Sequence, residues 1–328
     1  MHRIVLTVIF FIAHIVEARP SHQQYGWLSK YTVHALDRRA GANTSDQSSN
    51  KTSVMISTYS VAGERNYMED EYYVSNDGNF AGVFDGHGGR AVSRYLRQNI
   101  YTNYQAAFPS INNFNWTESA VSSALKSAFN KVDDEVNNII HWSFQGSTAC
   151  VVVIDKNASN GTRSIIAANL GDSRAILGRN GTAVDLTQDH KPNNDIERER
   201  IEALGGVVEW CGEVDENGDP VENTGVYRIN GNLALSRAIG DRCERPFVSS
   251  TVDISHNSVD EELDSFVLIA TDGLYDVMTS QEIVSVIHKR LSIATLEDFV
   301  RRDMARFIGD EALEGGSLDN ITVIIMWL

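Results

Sequence analysis

Three aspartates stand at the edges of apolar, β-rich runs. Asp85 follows Ala81-Gly82-Val83-Phe84, Asp272 follows Phe266 to Thr271, and Asp319 precedes Ile321 to Trp327. A carboxylate at the rim of a core loses hydration, which is costly unless a partner offsets it. One such residue is usually a turn or a cap. Three of them, with no basic residue in the local sequence to pair each one, point to bound cations. All-oxygen ligands select hard ions, meaning Mg²⁺, Mn²⁺ or Ca²⁺. Glycine follows both Asp85 and Asp272. Without a Cβ the backbone can bend sharply there and offer a carbonyl to an ion.

The order of elements constrains the fold class. β-rich runs come first, at Ser53 to Val61, Glu71 to Val74 and Phe80 to Phe84, with Asn-Asp-Gly turn chemistry at 76 to 78. A helix is expected from Gly89 to Tyr101 and a longer one from Trp116 to Ile140. In the second, Val121, Leu125, Phe129, Val132, Val136 and Ile139 repeat at threes and fours, and Asn115 with Glu118 has capping-box spacing. Strands follow at Ala149 to Ile154, Ser164 to Asn169 and Ala175 to Leu177. Asn194 to Leu204 reads as a charged helix ended by Gly205-Gly206. A strand at Phe266 to Thr271 precedes a helix capped by Thr279 and Glu282, another helix over 296 to 308, and a last strand at Ile321 to Leu328. Clustered strands, paired helices, then strands again argue for an α+β fold with antiparallel sheets.

The ends of the chain and its charge narrow the classes further. There are 28 basic and 44 acidic side chains, a net charge of -16. A nucleic-acid binder carries the opposite sign, so that class is set aside. Residues 1–18 read as a signal peptide: His2 and Arg3, an apolar run from Ile4 to Val16, then Val16-Glu17-Ala18. The run is about 13 residues, short of the roughly 20 needed to span a bilayer. An uncleaved signal anchor, and with it membrane attachment, stays open as the alternative. Residues 19–52 are polar and aperiodic and are expected to be a disordered linker. Residues 53–328 show no second linker and no repeat, so one domain is expected. Asn43, Asn50, Asn115, Asn157, Asn160 and Asn180 are glycosylation acceptors by pattern, while Asn320 opens an apolar strand and is expected to be inaccessible. Three cysteines, Cys150, Cys211 and Cys243, make neither a disulfide framework nor a zinc knuckle.

A second acidic cluster is Arg65-Asn66-Tyr67-Met68-Glu69-Asp70. An arginine beside acidic metal ligands suits a phosphate, because its planar fork bonds two oxygens at once. With Arg65-x-x-Met68-Glu69-Asp70 come Phe84-Asp85-Gly86-His87-Gly88-Gly89, Gly146-Ser147-Thr148-Ala149, Gly171-Asp172-Ser173-Arg174, Asp189-His190-Lys191-Pro192, Ser236 to Asp241, Thr271-Asp272-Gly273-Leu274-Tyr275-Asp276 and Asp319-Asn320-Ile321-Thr322. In this order the set resembles the metal-dependent protein phosphatases of the type 2C class, over about 55 to 328.

The resemblance implies a sandwich of two antiparallel sheets flanked by helices, with two Mg²⁺ or Mn²⁺ ions at one end. It implies that Asp85 bridges them, that Gly86 adds its carbonyl, that Asp272 and Asp319 complete the set, and that Glu69 and Asp70 hold metal-bound waters. Arg65 would bind the substrate phosphate and His87 would protonate the leaving serine or threonine oxygen. Asp172 and Asp276 match positions that hold a weaker third ion. Phosphoprotein substrates, a monomeric state and a secretory location are the accompanying expectations. Two other classes compete: a catalytically weak relative that binds phosphoproteins, and a phosphohydrolase acting on small phosphate esters. The chain departs from the family in three places. Tyr275 stands where tryptophan is usual, Arg242-Cys243-Glu244-Arg245-Pro246 replaces an aromatic-to-lysine run, and the flap-like stretch Trp210 to Val226 is long and acidic. Because both cysteine neighbourhoods lie near the active-site edge in the family, Cys211 and Cys243 are candidates to pair in an oxidising lumen, with two unrelated thiols as the alternative.

Overall fold

The apolar runs are continuous because their strands are covered on both faces. The computed structural model describes residues 54–108, 117–155, 163–221 and 224–328. The signal segment, the linker and the acceptors Asn43, Asn50, Asn115, Asn157 and Asn160 lie outside them. One five-stranded sheet runs, in spatial order, Ile56–Val61, Ile321–Trp327, Asp264–Ala270, Arg174–Arg179 and Thr182–Asp185. A second runs Asp253–Ser258, Ser164–Leu170, Ala149–Ile154, Phe80–Phe84 and Glu71–Val74. Every pairing in both is antiparallel.

Strand alternation divides the core into three layers. Cys150, Val152 and Ile154 of the second sheet face Val267, Ile269, Ile324 and Met326 of the first, between the sheets. The intervening residues Ala149, Val151 and Val153 turn outward onto α1 (Ala91–Ala107) and α2 (Glu118–Asn137). On the opposite side Ile321, Val323, Ile325 and Trp327 face α5 (Ser280–Ser292) and α6 (Glu297–Glu314). The fold is therefore the expected α+β sandwich with helices on both outer faces. Between these lie α3 (Asp195–Ala203) and the one-turn α4 (Asp272–Tyr275).

The long helices depart from expectation at their ends. α2 starts at Glu118 with Thr117 as its cap, Oγ1 accepting from the Ala120 N–H at 3.1 Å. α1 runs on to Ala107, because Tyr104 packs on Phe80 and extends the buried stripe past Tyr101. The Thr279–Glu282 capping box forms as read, with bonds in both directions. Thr279→Ala is expected to cost about 1 kcal/mol of stability, measured by denaturant unfolding.

Register delivers the acidic residues to one end of the sandwich. Glu71 pairs with Phe84, which sets Asp70 beside Asp85. Val83 pairs with Cys150 and Ala149 with Leu170, which carries the Gly171–Ser173 turn to the same end. Ala270 pairs with both Arg174 and Val323, so Asp272 and Asp319 arrive there too. Three short strands, Gly86–His87, Gly146–Ser147 and Ile239–Gly240, form a small sheet over this end. Val208–Cys211 and Val226–Ile229 pair as the flap hairpin.

Candidate metal centre

Asp85, Asp172 and Asp272 each bring a carboxylate oxygen within 4.8 Å of the other two. Such an approach of like charges, with Asp172 buried and the other two half-buried, needs protons or cations to persist. Burial is the main reason the Asp85 carboxyl stays protonated well above the usual carboxylate range; the charges of Asp272, Asp70 and Asp172 add to it. Asp272 is raised in the same way, by burial and then by Asp172, with Lys191 working against the shift. Asp70 is pushed up to about 7 by burial, although hydrogen bonds from Thr322 and Thr271 favour its ionised form. Asp276 is raised by burial too.

Two buried oxygens, Asp70 Oδ1 and Asp272 Oδ1, have no hydrogen-bond partner. Orphaned anionic oxygens in a cluster made only of oxygen donors are what a hard divalent ion would satisfy. The residues present therefore fit Mg²⁺ or Mn²⁺.

The loops that carry these groups are tied together. Thr271 Oγ1 donates to Asp70 Oδ2 at 2.8 Å. Thr148 Oγ1 accepts from the Asp85 N–H at 3.0 Å and bonds Ser173 Oγ at 2.7 Å. Asn320 is spent on structure: its carbonyl accepts from the Glu69 N–H at 2.8 Å, and its amide donates to Ala62 and Tyr67. Asn320 is accordingly buried. A Cβ at Gly86 would lie 2.7 Å from both the Glu69 carbonyl and Ser93 Oγ. Gly86→Ala is thus expected to destabilise by about 1–3 kcal/mol through forced backbone movement, read by chemical unfolding.

Long-range pairs correct one inference from local sequence. Asp319 does have a basic partner: Arg65 Nη2 donates to its Oδ2 at 2.6 Å, and Arg65 Nε donates to Leu318 O at 3.2 Å. Lys191 likewise donates to Asp172. Arg65 remains half exposed at the rim, and its Nη1 has no protein acceptor among the described residues.

His87 meets Asp241 across the small sheet, Nε2 to Oδ2 at 2.7 Å. A Cβ at Gly146 would fall 2.1 Å from that Asp241 oxygen, so only glycine lets the pair close. Burial disfavours the charged imidazolium, but the Asp241 bond and charge, with Asp172 and Glu69, outweigh it, and the His87 pKa is raised. Asp241, Lys191 and Thr271 lie within the motifs without a role of their own in the sequence; nothing local shows which residue each one meets.

The departures are placed as well. Tyr275 lies under the Arg174 guanidinium, 4.4 Å from ring centroid to Cζ, and its hydroxyl donates to Arg174 O. In the flap hairpin, Asp215 accepts backbone N–H bonds from Asn217 and Asp219, so this acid serves the turn. Cys211 and Cys243 are both free, exposed thiols, the alternative of two unrelated cysteines. Cys211 ends a flap strand paired to Val226, whereas the Cys243 amide is held by Ser143 O on a separate turn.

Comparison with known proteins agrees with this geometry. Residues 60–321 match the family described as Protein phosphatase 2C. The chain is 34% identical over 275 residues to probable protein phosphatase 2C 69 of Arabidopsis thaliana, covering 81% of this chain and 68% of that one. It is 36% identical over 275 residues to the probable protein phosphatase 2C member 13, mitochondrial, of Oryza sativa subsp. japonica, covering 81% and 66%. Among solved structures, a C. elegans sex determining protein superposes with a TM-score of 0.72 at 26% identity, over 84% of this chain and 65% of that one. A serine-threonine phosphatase 2C from Toxoplasma gondii superposes at 0.66 with 20% identity, over 85% and 96%, a likeness of fold.

Proposed function

The chain belongs to the protein phosphatase 2C family and is a metal-dependent serine/threonine protein phosphatase, and on that premise we propose that it hydrolyses phosphoserine and phosphothreonine at a centre of two Mg²⁺ or Mn²⁺ ions. The observation that carries this is the cluster of Asp172, buried, with half-buried Asp85 and Asp272, and the orphaned oxygens of Asp70 and Asp272 beside it. Asp85, Gly86, Asp272 and Asp319 would hold the two ions, with Glu69 and Asp70 around them and Asp172 and Asp276 beside a weaker third. When bound, the ions supply a water of lowered pKa and positive charge against the phosphate.

The chain's own groups do the rest. Arg65 sits at the rim with one guanidinium nitrogen uncommitted, and it orients the phosphate through charge-assisted bonds. Asp241 holds His87 by Nε2, which fixes the ring and leaves Nδ1 as the proton donor to the departing serine or threonine oxygen. The proton that leaves His87 ends on the alcohol product. Substrate is a phosphoprotein, and the protein acts as a monomer. Rates on phosphopeptides against small phosphate esters test the substrate class: faster turnover of the peptides per unit enzyme supports it, and a clear preference for the small esters contradicts it.

We also propose that residues 1–18 take the chain into the secretory pathway. Support comes from the sequence, from the apolar run Ile4 to Val16 and the acceptor triplets. Among the described residues no helix is long and apolar enough to cross a membrane. Asn180 is an exposed turn residue, whereas Asn320 is buried and fully engaged. On expression in a eukaryotic cell, glycans are expected at Asn43, Asn50 and Asn180 and not at Asn320, with Met1 to Ala18 removed. Glycosidase-insensitive mobility together with an intact Met1 would count against entry.

A further inference from the structure

Lys191 reaches into the acidic end of the sandwich at Asp172, whereas Arg65 is bonded to Asp319. Its ammonium donates to Asp172 Oδ2, and its charge also acts on Asp272 and Asp276. Those are the carboxylates beside which a third ion would sit. An ammonium and a divalent ion are alternative partners for one group of anions. Each offsets the same charge, and at a few ångströms they repel one another.

The neighbouring backbone is firmly held, so this placement is built. His190 is buried; its N–H donates to Gly171 O at 2.9 Å and its Nδ1 accepts from the Gly171 N–H at 3.1 Å. Gly171 directly precedes Asp172. The His190 Nε2 meets Asp253 at 3.0 Å, and Asn194 Nδ2 donates to Asp189 O at 2.7 Å. The side chain of Lys191, in contrast, has somewhere to go. It lines an open cleft of about 810 Å³ with Arg174, Asp189, Asn194 and Asp253. Rotation about its four-carbon stem would carry the ammonium from Asp172 to the cleft, where the carboxylates of Asp189, bonded to Arg174, and Asp253, bonded to His190 and Arg237, keep further lone pairs to share.

We propose that Lys191 is a built-in counter-ion that competes with the third divalent ion, docking on Asp172 until that ion binds and then swinging into the cleft. This rests on the metal-centre reading above. The competition sets the affinity of the third site, because ion binding there must also undock the lysine.

Full-length protein dialysed against graded Mn²⁺, with bound metal measured by mass spectrometry, tests it. Lys191→Met is expected to take up its weakest ion roughly tenfold or more tightly than wild type, with the two tighter ions unchanged. Lys191→Arg keeps the charge and stays close to wild type. Unchanged or weaker uptake of the third ion by Lys191→Met overturns the proposal. The wild-type protein provides a readout free of any folding defect in a variant. Labelling of Lys191 by an amine-reactive reagent, followed by peptide mass spectrometry, rises over the Mn²⁺ range in which the third ion binds. Labelling that stays flat or falls overturns the proposal. Wild-type protein that takes up no Mn²⁺ at all overturns the metal-centre reading and this proposal with it.

Discussion

Asp272→Asn and Asp85→Asn each lower turnover of a phosphopeptide by roughly a thousandfold or more, on the order expected when a main electrostatic group is removed from a reacting centre. The fold survives both changes, and in chelator the variants are more stable than wild type at alkaline pH. The reason is linkage. A carboxyl whose folded pKa is raised holds its proton longer in the native state than in the unfolded chain. The stability it contributes is present below the unfolded value and lost as pH rises through the folded value. For Asp70 that window runs from the ordinary value of 3.8 to about 7, and Asp85 and Asp272 shift in the same direction. Chelated wild-type protein therefore loses melting temperature between about pH 4 and pH 7, and Asp272→Asn loses less. Saturating Mn²⁺ reverses the ranking, since only the wild type gains the full binding energy. Wild-type turnover in Asp272→Asn, or a chelated wild type whose melting temperature climbs across that window, would remove the centre from this place.

The second large effect depends on the leaving group. His87→Ala slows phosphoserine peptide hydrolysis by about 10²–10⁴-fold, the usual contribution of a general acid, while hydrolysis of an activated aryl phosphate falls far less. A serine alkoxide needs a proton as it departs; a nitrophenolate does not. Asp241→Asn shows the same selectivity with a smaller loss, because the imidazole stays but loses the carboxylate that favours its charged form. Wild type keeps a protonated His87 to higher pH than an ordinary histidine, so the alkaline limb of its kcat profile sits above the limb of Asp241→Asn. Equal losses on both substrates would assign His87 to structure. Coincident alkaline limbs would take Asp241 out of the proton transfer.

The sandwich was legible because its central strands are covered on both faces. Ala149 to Ile154 is apolar at every position and Ile321 to Trp327 at every position but Thr322, so both can only be interior. Asp253–Ser258 escaped notice for the opposite reason: an edge strand of Asp-Ile-Ser-His-Asn-Ser has half-buried and exposed residues and no apolar period. The two-residue strands Gly86–His87, Gly146–Ser147 and Ile239–Gly240 are too short for any pattern, although they bring His87 to Asp241.

The site divides along the same line. Aspartates at strand ends announce themselves as carboxylates beside apolar runs, and register gathers them. The partners of those aspartates do not, because Arg65 lies 254 positions from Asp319, Asp241 lies 154 from His87, and Thr271 lies 201 from Asp70. Local spacing holds no information on pairs made by tertiary folding. It also missed that Asn320, which matches a glycosylation triplet, is consumed in tying the Glu69 loop to the last strand.

The most direct test is phosphate release from a phosphoserine peptide by the purified full-length protein, in chelator and after restoring Mn²⁺ or Mg²⁺. Turnover should vanish in chelator and return with either ion, and Asp85→Asn should stay inactive throughout. Turnover that persists in chelator, or a metal-loaded protein that releases no phosphate from any phosphopeptide, would contradict a metal-dependent protein phosphatase built on these aspartates.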